Sequence, residues 1–188
     1  MKKERSKRNE KIIKDINLPD STTASVDGTL LLIKGPKGEV KRAFKQHTIS
    51  IKSENGKIIF ESMSGKKEDK KMIGSLMAHV KNMIKGSLQN HAYTLKICSG
   101  HFPMNVSVNN GQLTVKNFLG EKVPRVLRLK EGANIKVEGD LIHVTSASKE
   151  IAGQVSADIE QLTRRPGFDT RIFQDGIYLV NKDGKELK

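Results

Sequence analysis

Short runs of apolar residues, some continuous and some interspersed with polar residues, recur through most of the chain, and in two places such runs lead into a segment with helical spacing. In the first half, runs at 30–34, 39–44, 51–54 and 57–60 are separated by glycine-containing turns, which is typical of hairpins. Apolar residues then recur at intervals of three and four, which predicts an amphipathic helix with its apolar face at Met72, Ile73, Leu76, Met77, Val80, Met83 and Ile84. Lys81 and Lys85 occupy its last turn, and Gly86 is the predicted C-cap.

The same pattern is repeated in the second half. Residues 28–42 are echoed by 111–125, and residues 51–60 by 135–144, with a two-residue turn at the centre of the latter pair. A second helix follows, with apolar positions at Ile151, Val155, Ile159 and Leu162, and Pro166 is expected to end it. Gly74 and Gly153 occupy matching positions, which predicts that each helix lies close to its sheet there.

Each half therefore reads as two hairpins and one helix, with a further strand after each helix at 93–97 and 176–180. The predicted fold class is α+β, with two tandem duplicated domains, each an antiparallel sheet packed on one helix. The predicted boundaries are a basic N-terminal arm over 1–18, a first repeat domain over 19–98, a second repeat domain over 99–180, and a C-terminal tail over 181–188.

Net charge narrows the class of partner. The 34 Lys and Arg residues against 21 Asp and Glu give +13, which favours a polyanion, and nucleic acid fits best. The longest apolar stretch, 30–33, is too short to span a bilayer, and the charged N-terminus lacks the apolar core of a secretory signal, so we expect a cytoplasmic protein. The single Cys98 cannot form an internal disulfide and is expected to be a half-buried strand residue.

Known chemical motifs give little support for catalysis. The five histidines are not spaced as metal ligands, and the chain contains neither a phosphate-binding loop motif nor a nucleophile turn. We therefore expect no enzyme activity, no metal and no cofactor.

Residues 35–38, Gly-Pro-Lys-Gly, match the Gly-x-x-Gly loop with which KH domains clamp a single strand. A KH loop joins two helices, whereas this one lies between two predicted strands, so a hairpin turn is the favoured interpretation. An RRM is also disfavoured, because aromatic residues make up 4% of the chain and Trp is absent. Base stacking is therefore not the expected mode of binding.

What remains is recognition of folded RNA by charge and shape, through phosphates and 2′-hydroxyls. The candidate RNA-binding residues flank predicted loops of the second half: Lys116, Asn117, Lys122, Arg125, Arg164, Arg165 and Arg171. The alternative for any one of them is an ordinary solvated surface charge.

Several longer motifs resemble the family of large-subunit ribosomal protein six in its archaeal and eukaryotic form, with the short length favouring the archaeal branch. The resemblance covers about 15–180, and its most specific stretches are 34–39, 82–86, 101–105, 117–122 and 175–178. The arm at 1–14 departs from the pattern of archaeal members.

The resemblance implies a structural role in the large ribosomal subunit, arising from an ancient duplication of one domain. It further implies a position near the sarcin-ricin loop and the translation-factor site, with the second domain making the main contacts to large-subunit rRNA. Neighbouring ribosomal proteins and, nearby, translation-factor GTPases are the other implied partners. The alternative is a free-standing RNA-binding or RNA-chaperone module, which would not sediment with large subunits in a sucrose gradient.

Overall fold

The computed structural model describes residues 11–44, 48–54, 56–100, 102–169 and 171–187. The chain divides into two compact units, Met1–Gln89 and Asn90–Lys188. Both are α+β, as predicted, and within the described residues each contains one α-helix and antiparallel strands. Neither helix found in these residues is long and apolar enough to cross a membrane.

The first unit contains two three-stranded antiparallel sheets, ordered β1-β6-β5 and β2-β3-β4, and one helix. Its elements are β1 (Ile13–Asn17), β2 (Thr23–Asp27), β3 (Leu30–Gly35), β4 (Gly38–Ala43), β5 (Ile49–Glu54), β6 (Lys57–Ser62) and α1 (Lys67–Leu88). The strands alternate buried and exposed positions, so the side chains of Leu31, Ile33, Ile58 and Phe60 enter the core.

Helix α1 buries five positions of the predicted apolar face, Ile73, Leu76, Val80, Met83 and Ile84, whereas Met77 is only partly buried and Met72 is exposed. Two further details of the prediction are wrong. Gly86 is not the cap, because the helix continues to Leu88 and the N–H of Gln89 still donates to the carbonyl of Lys85. Gly74 does not mark a close approach to the sheet, since a Cβ added there would have no neighbouring atom within 4 Å.

The second unit contains a five-stranded sheet, ordered β11-β12-β7-β13-β14, and a three-stranded sheet, ordered β10-β9-β8. Its elements are β7 (His91–Cys98), β8 (Asn105–Asn109), β9 (Gln112–Lys116), a short 3-10 helix (Phe118–Gly120), β10 (Arg125–Arg128), β11 (Asn134–Glu138), β12 (Leu141–Ser146), α2 (Lys149–Leu162), β13 (Gly176–Lys182) and β14 (Lys185–Glu186).

Helix α2 begins at the N-cap Ser148, whose side chain accepts a hydrogen bond from the N–H of Ile151. It buries Val155 and Ile159 against the sheet. Here the expected close approach at Gly153 is confirmed, because a Cβ added there would lie 3.6 Å from the hydroxyl oxygen of Tyr93.

Strand β7 corrects the predicted domain boundary. The sequence pattern placed it at the end of the first domain, but it pairs with β12 on one side and β13 on the other, at the centre of the second unit's sheet. Its buried residues Tyr93, Leu95 and Ile97 belong to that unit's core. The units therefore divide at 89/90 and not at 98/99.

The two chain ends also differ from the prediction. Residues 13–17, assigned to the basic arm, form β1 and pair with β6, while residues 1–10 of that arm lie outside the described ranges. Part of the predicted tail is folded, because β13 extends to Lys182 and then pairs with β14.

The Gly-Pro-Lys-Gly segment is a hairpin turn, as predicted. Gly35 and Gly38 face each other across β3 and β4, and the backbone N–H of Lys37 donates to the carbonyl of Ser87 at 3.0 Å. A Cβ added at Gly35 would lie 2.6 Å from that same oxygen, so only glycine fits. The turn packs on the end of α1 and connects strands, unlike a KH loop.

Candidate nucleic-acid interface

All seven predicted RNA-binding residues lie in the second unit, in or beside loops. Six of them are exposed, and Arg125 is partly buried. The structure separates them into residues whose charge faces solvent and residues whose polar groups are already used inside the fold.

The loop after β9 has a fixed shape. Asn117 and Leu119 adopt positive φ angles of 60° and 48°, and Gly120 follows at 77°. The side-chain amide of Asn117 donates to the carbonyl of Pro103 at 3.0 Å, while Phe118 is buried beneath the loop. Because such backbone angles are strained for residues other than glycine, these contacts must hold the loop in place. Lys116 and Lys122 lie on either side of it and remain exposed.

Arg125 is bound within the protein. Its guanidinium donates to both carboxylate oxygens of Glu121, at 2.8 and 2.7 Å, and to the carbonyl of Leu162 at 2.7 Å. It also lies over the ring of Phe118, with its central carbon 4.4 Å from the ring centroid. The hydrogen bond from Arg125 lowers the pKa of Glu121 despite partial burial. These contacts tie the start of β10 to the end of α2, which indicates a positioning role that sequence reasoning missed.

The segment after α2 presents Arg164 and Arg165. Both are exposed, and the chain turns away at Pro166 and Gly167, where φ is +85°. The guanidinium carbon of Arg165 lies 4.2 Å from the ring centroid of Phe168. Within the described residues, the Arg164 side chain makes no ion pair or hydrogen bond.

Arg171 forms an exposed ion pair with Asp169, in which Nη2 and Oδ2 are 2.7 Å apart. The side-chain hydrogen bond from Arg171 lowers the pKa of Asp169. Because the arginine side chain is 88% exposed, water screens this pair strongly. A phosphate could therefore replace the carboxylate as its partner at small energetic cost.

A pocket of about 470 Å³ opens between the end of α2, the loop after β9 and the segment after α2. Four aromatic residues contribute to its lining: Phe118, Phe168, Phe173 and Tyr178. Phe168 and Phe173 pack edge to face, with ring centroids 5.0 Å apart. The chain has only six Phe and two Tyr, so half of its aromatic residues line this one pocket. The low overall content of aromatic residues gave no indication that they cluster at a pocket. The position of Phe168 and Phe173 close to three arginines in the sequence was a local signal of this cluster.

The charges of the pocket are divided between its members. Arg164 and Arg165 contribute cations, and Glu160 and Asp175 contribute carboxylates. Asp175 is buried and accepts a hydrogen bond from the N–H of Gly100 at 2.6 Å. Burial, and then the charges of Cys98, Asp175 and Glu160, raise the pKa of the Tyr178 hydroxyl above its ordinary value.

In the described part of the chain, no group of three or more His, Cys, Asp or Glu side chains is placed to hold a metal ion. Buried His91 lies beside Asp183, with Nδ1 and Oδ2 3.1 Å apart, and this pair joins β7 to the turn after β13. Cys98 is half-buried at the end of β7, as predicted.

Comparison with known proteins identifies the repeat. The family model for ribosomal protein L6 matches residues 18–89 and again residues 102–176. The chain is 41% identical over 173 residues to the large ribosomal subunit protein uL6 of Methanothrix thermoacetophila, covering 92% of this chain and 98% of that protein. It is 42% identical over 176 residues to uL6 of Methanococcus vannielii, covering 94% and 97%, respectively. The uL6 of Methanobrevibacter smithii is 38% identical over 172 residues, covering 92% and 97%.

These relatives are archaeal, and each match covers nearly the whole length of both proteins. The resemblance found in the sequence motifs is therefore confirmed. The chain belongs to the ribosomal protein L6 family and is a structural, non-enzymatic constituent of the large subunit of the cytoplasmic ribosome.

Proposed function

We propose that the second unit binds large-subunit rRNA near the sarcin-ricin loop and the translation-factor site, by recognising phosphates and the shape of folded RNA. The observation that carries the proposal is a group of exposed cations on two loops of this unit: Lys116, Lys122, Arg164, Arg165 and Arg171. The location within the subunit rests on the family resemblance, and translation-factor GTPases are proposed as neighbours on the same basis.

The two loops lie close enough for their charges to interact. The positive charge of Arg165 contributes to the lowered pKa of Glu121, which directly precedes Lys122 in the chain. Cations from both loops can therefore face one stretch of RNA backbone. Arginine can donate two parallel hydrogen bonds to one phosphate, whereas lysine acts as a point charge.

Arg125 and Asn117 have a supporting role in this proposal. Arg125 joins Glu121 to Leu162, and Asn117 fixes the loop through the carbonyl of Pro103. The exposed cations then sit on preorganised backbone, which lowers the entropy lost when RNA binds. Loss of Arg125 should weaken binding by disturbing the loops and not by removing a phosphate contact.

A filter-binding titration of the full chain tests the assignment. The RNA is an rRNA fragment that contains the sarcin-ricin hairpin, and a fragment of equal length from elsewhere in the subunit is the reference. We expect Lys122→Ala with Arg164→Ala to weaken binding to the first fragment by about tenfold or more, which is roughly 1.4 kcal/mol. The matched control is Lys37→Ala with Lys52→Ala, which removes the same number of exposed positive charges from the first unit. Equal losses for both double variants would contradict the assignment.

A further inference from the structure

We propose that the aromatic pocket of the second unit holds one unstacked nucleobase of the bound RNA. The inference rests on the proposed RNA-binding function and extends it from phosphate recognition to recognition of a base. It departs from the expectation drawn from composition, which disfavoured stacking.

The first argument is the chemistry of the pocket wall. The central carbon of the Arg165 guanidinium lies over the Phe168 ring, 4.2 Å from its centroid, and Phe168 is still 40% exposed. An arginine plane and an aromatic ring are the two surfaces on which proteins stack bases that have left a helix. An arginine that only bound a phosphate would not need to pack on an aromatic ring.

The second argument is the distribution of charge. Glu160 and Asp175 line the pocket and would repel a phosphate that entered it. Arg164 and Arg165 are exposed and can hold a phosphate outside. This arrangement suits a nucleotide whose base lies inside the pocket and whose phosphate remains at the pocket's edge. Inside the pocket, the Glu160 carboxylate can accept a hydrogen bond from an N–H of the base.

The third argument is size. The pocket volume of about 470 Å³ falls within the range of sites that enclose small ligands, roughly 300 to 1,000 Å³. Bases inside an A-form helix do not protrude, so the occupant must come from a loop, a bulge or a mismatched position. Recognition of folded RNA by its shape alone would require an exposed charged surface and no pocket.

The test is chemical footprinting of the rRNA fragment bound to the full chain, with one reagent for base edges and hydroxyl radicals for the backbone. We expect one unpaired base to be protected by the parent and by Phe168→Tyr. It should become reactive in Phe168→Ala, with backbone protection retained at saturating protein. The affinity loss for Phe168→Ala should be about fivefold to 150-fold, the range for one stacked base.

A second variant guards against misfolding. Gln161 lines the pocket and is exposed, so Gln161→Trp should obstruct the pocket without removing a buried side chain. It should release the same base as Phe168→Ala, while Gln161→Ala should not. Base reactivity that is identical in the parent and in Gln161→Trp would overturn the proposal.

Two further outcomes are distinguishable. If the parent protects neither backbone nor bases, the proposed function itself fails. If backbone protection is normal but ultraviolet cross-linking of whole subunits joins residues 164–178 to a protein and not to a base, RNA binding stands and the pocket proposal fails.

Discussion

The two units follow one order of elements and differ in the connections between them. In both, an initial strand precedes three strands of a separate sheet, then a hairpin and a helix, and β1 pairs with β6 as β7 pairs with β12. In the first unit, a two-residue turn links β3 to β4. In the second, the equivalent link between β9 and β10 spans residues 117–124 and contains the 3-10 helix.

The second unit also continues beyond its helix. Residues 163–175 lead from α2 to β13. This segment and the link between β9 and β10, residues 117–124, provide most of the pocket lining. In the first unit, the turn between β3 and β4 packs against helix α1, and the backbone N–H of Lys37 donates to the carbonyl of Ser87. The charged, concave surface of the second unit is therefore built mainly from segments that differ from those of the first unit, namely the link between β9 and β10 and the chain beyond α2.

The largest expected effect comes from disrupting the packed turn between β3 and β4 of the first unit. Gly35→Ala places a methyl group against the backbone oxygen of Ser87, so the turn or the helix end must move. We expect the free energy of unfolding of this unit to fall by about 3 kcal/mol. Gly74→Ala is the control, because its Cβ meets nothing and alanine favours a helix by about 1 kcal/mol. Hydrogen exchange of peptides from residues 11–89 measures both. Equal stability of the two variants would contradict the close approach.

The next effect concerns the support of the second unit's loops. Arg125→Ala leaves Glu121 and the Leu162 carbonyl without their shared partner, and we expect the second unit to lose about 2 kcal/mol. Arg128→Ala, an exposed position on the same strand, should change stability by less than about 0.5 kcal/mol. Hydrogen exchange within residues 90–188 separates these results. If Arg125→Ala exchanges like the parent, its contacts are not structural.

A smaller effect distinguishes the turns before the two helices at acidic pH. Buried Asp69 accepts hydrogen bonds from the hydroxyls of Ser64, Ser62 and Thr48, and those bonds, with that from Ser64 the strongest, lower its pKa. The matching turn in the second unit is held by Ser146, whose hydroxyl donates to the carbonyl of Gly132 at 2.6 Å.

Because the pKa of Asp69 is lower in the folded than in the unfolded chain, its stabilisation is present above the ordinary aspartate pKa and is lost as pH falls through the lowered value. We expect amide protection in residues 48–70 to decline with acid in the parent and to be less pH-dependent in Asp69→Asn. Protection around residues 132–148 should not show this component. The same acid response in the parent and in Asp69→Asn would show that another group is responsible.

Local patterns in the sequence predicted elements well and their partners less well. The apolar spacing of Ile73, Leu76 and Val80 reports the buried face of α1 because neighbours on a helix surface are set by chain geometry. Strand β7 was placed in the wrong unit because a strand's own alternation does not reveal which sheet it joins. Its alternation is equally suited to the end of one repeat and the start of the next.

The candidate site was predicted in part for the same reason. Charge and loop position found the exposed arginines and lysines, which remain a prediction as RNA ligands. They could not show that Arg125 reaches Glu121 and Leu162, since the last contact joins residues far apart in the chain. They also missed the pocket, whose aromatic residues are separated in the sequence and are brought together only by folding.

The most direct test of the account measures RNA affinity against salt for the full chain and for Arg165→Ala with Arg171→Ala, alongside a melting curve of each. We expect the double variant to bind the sarcin-ricin fragment more weakly and to lower the slope of log K against log salt by roughly 0.7 to 0.9 for each lost phosphate contact. Its melting midpoint should be unchanged, because both side chains are exposed. An unchanged slope, or affinity and melting midpoint falling together, would contradict the claim that the loops of the second unit bind RNA through exposed cations.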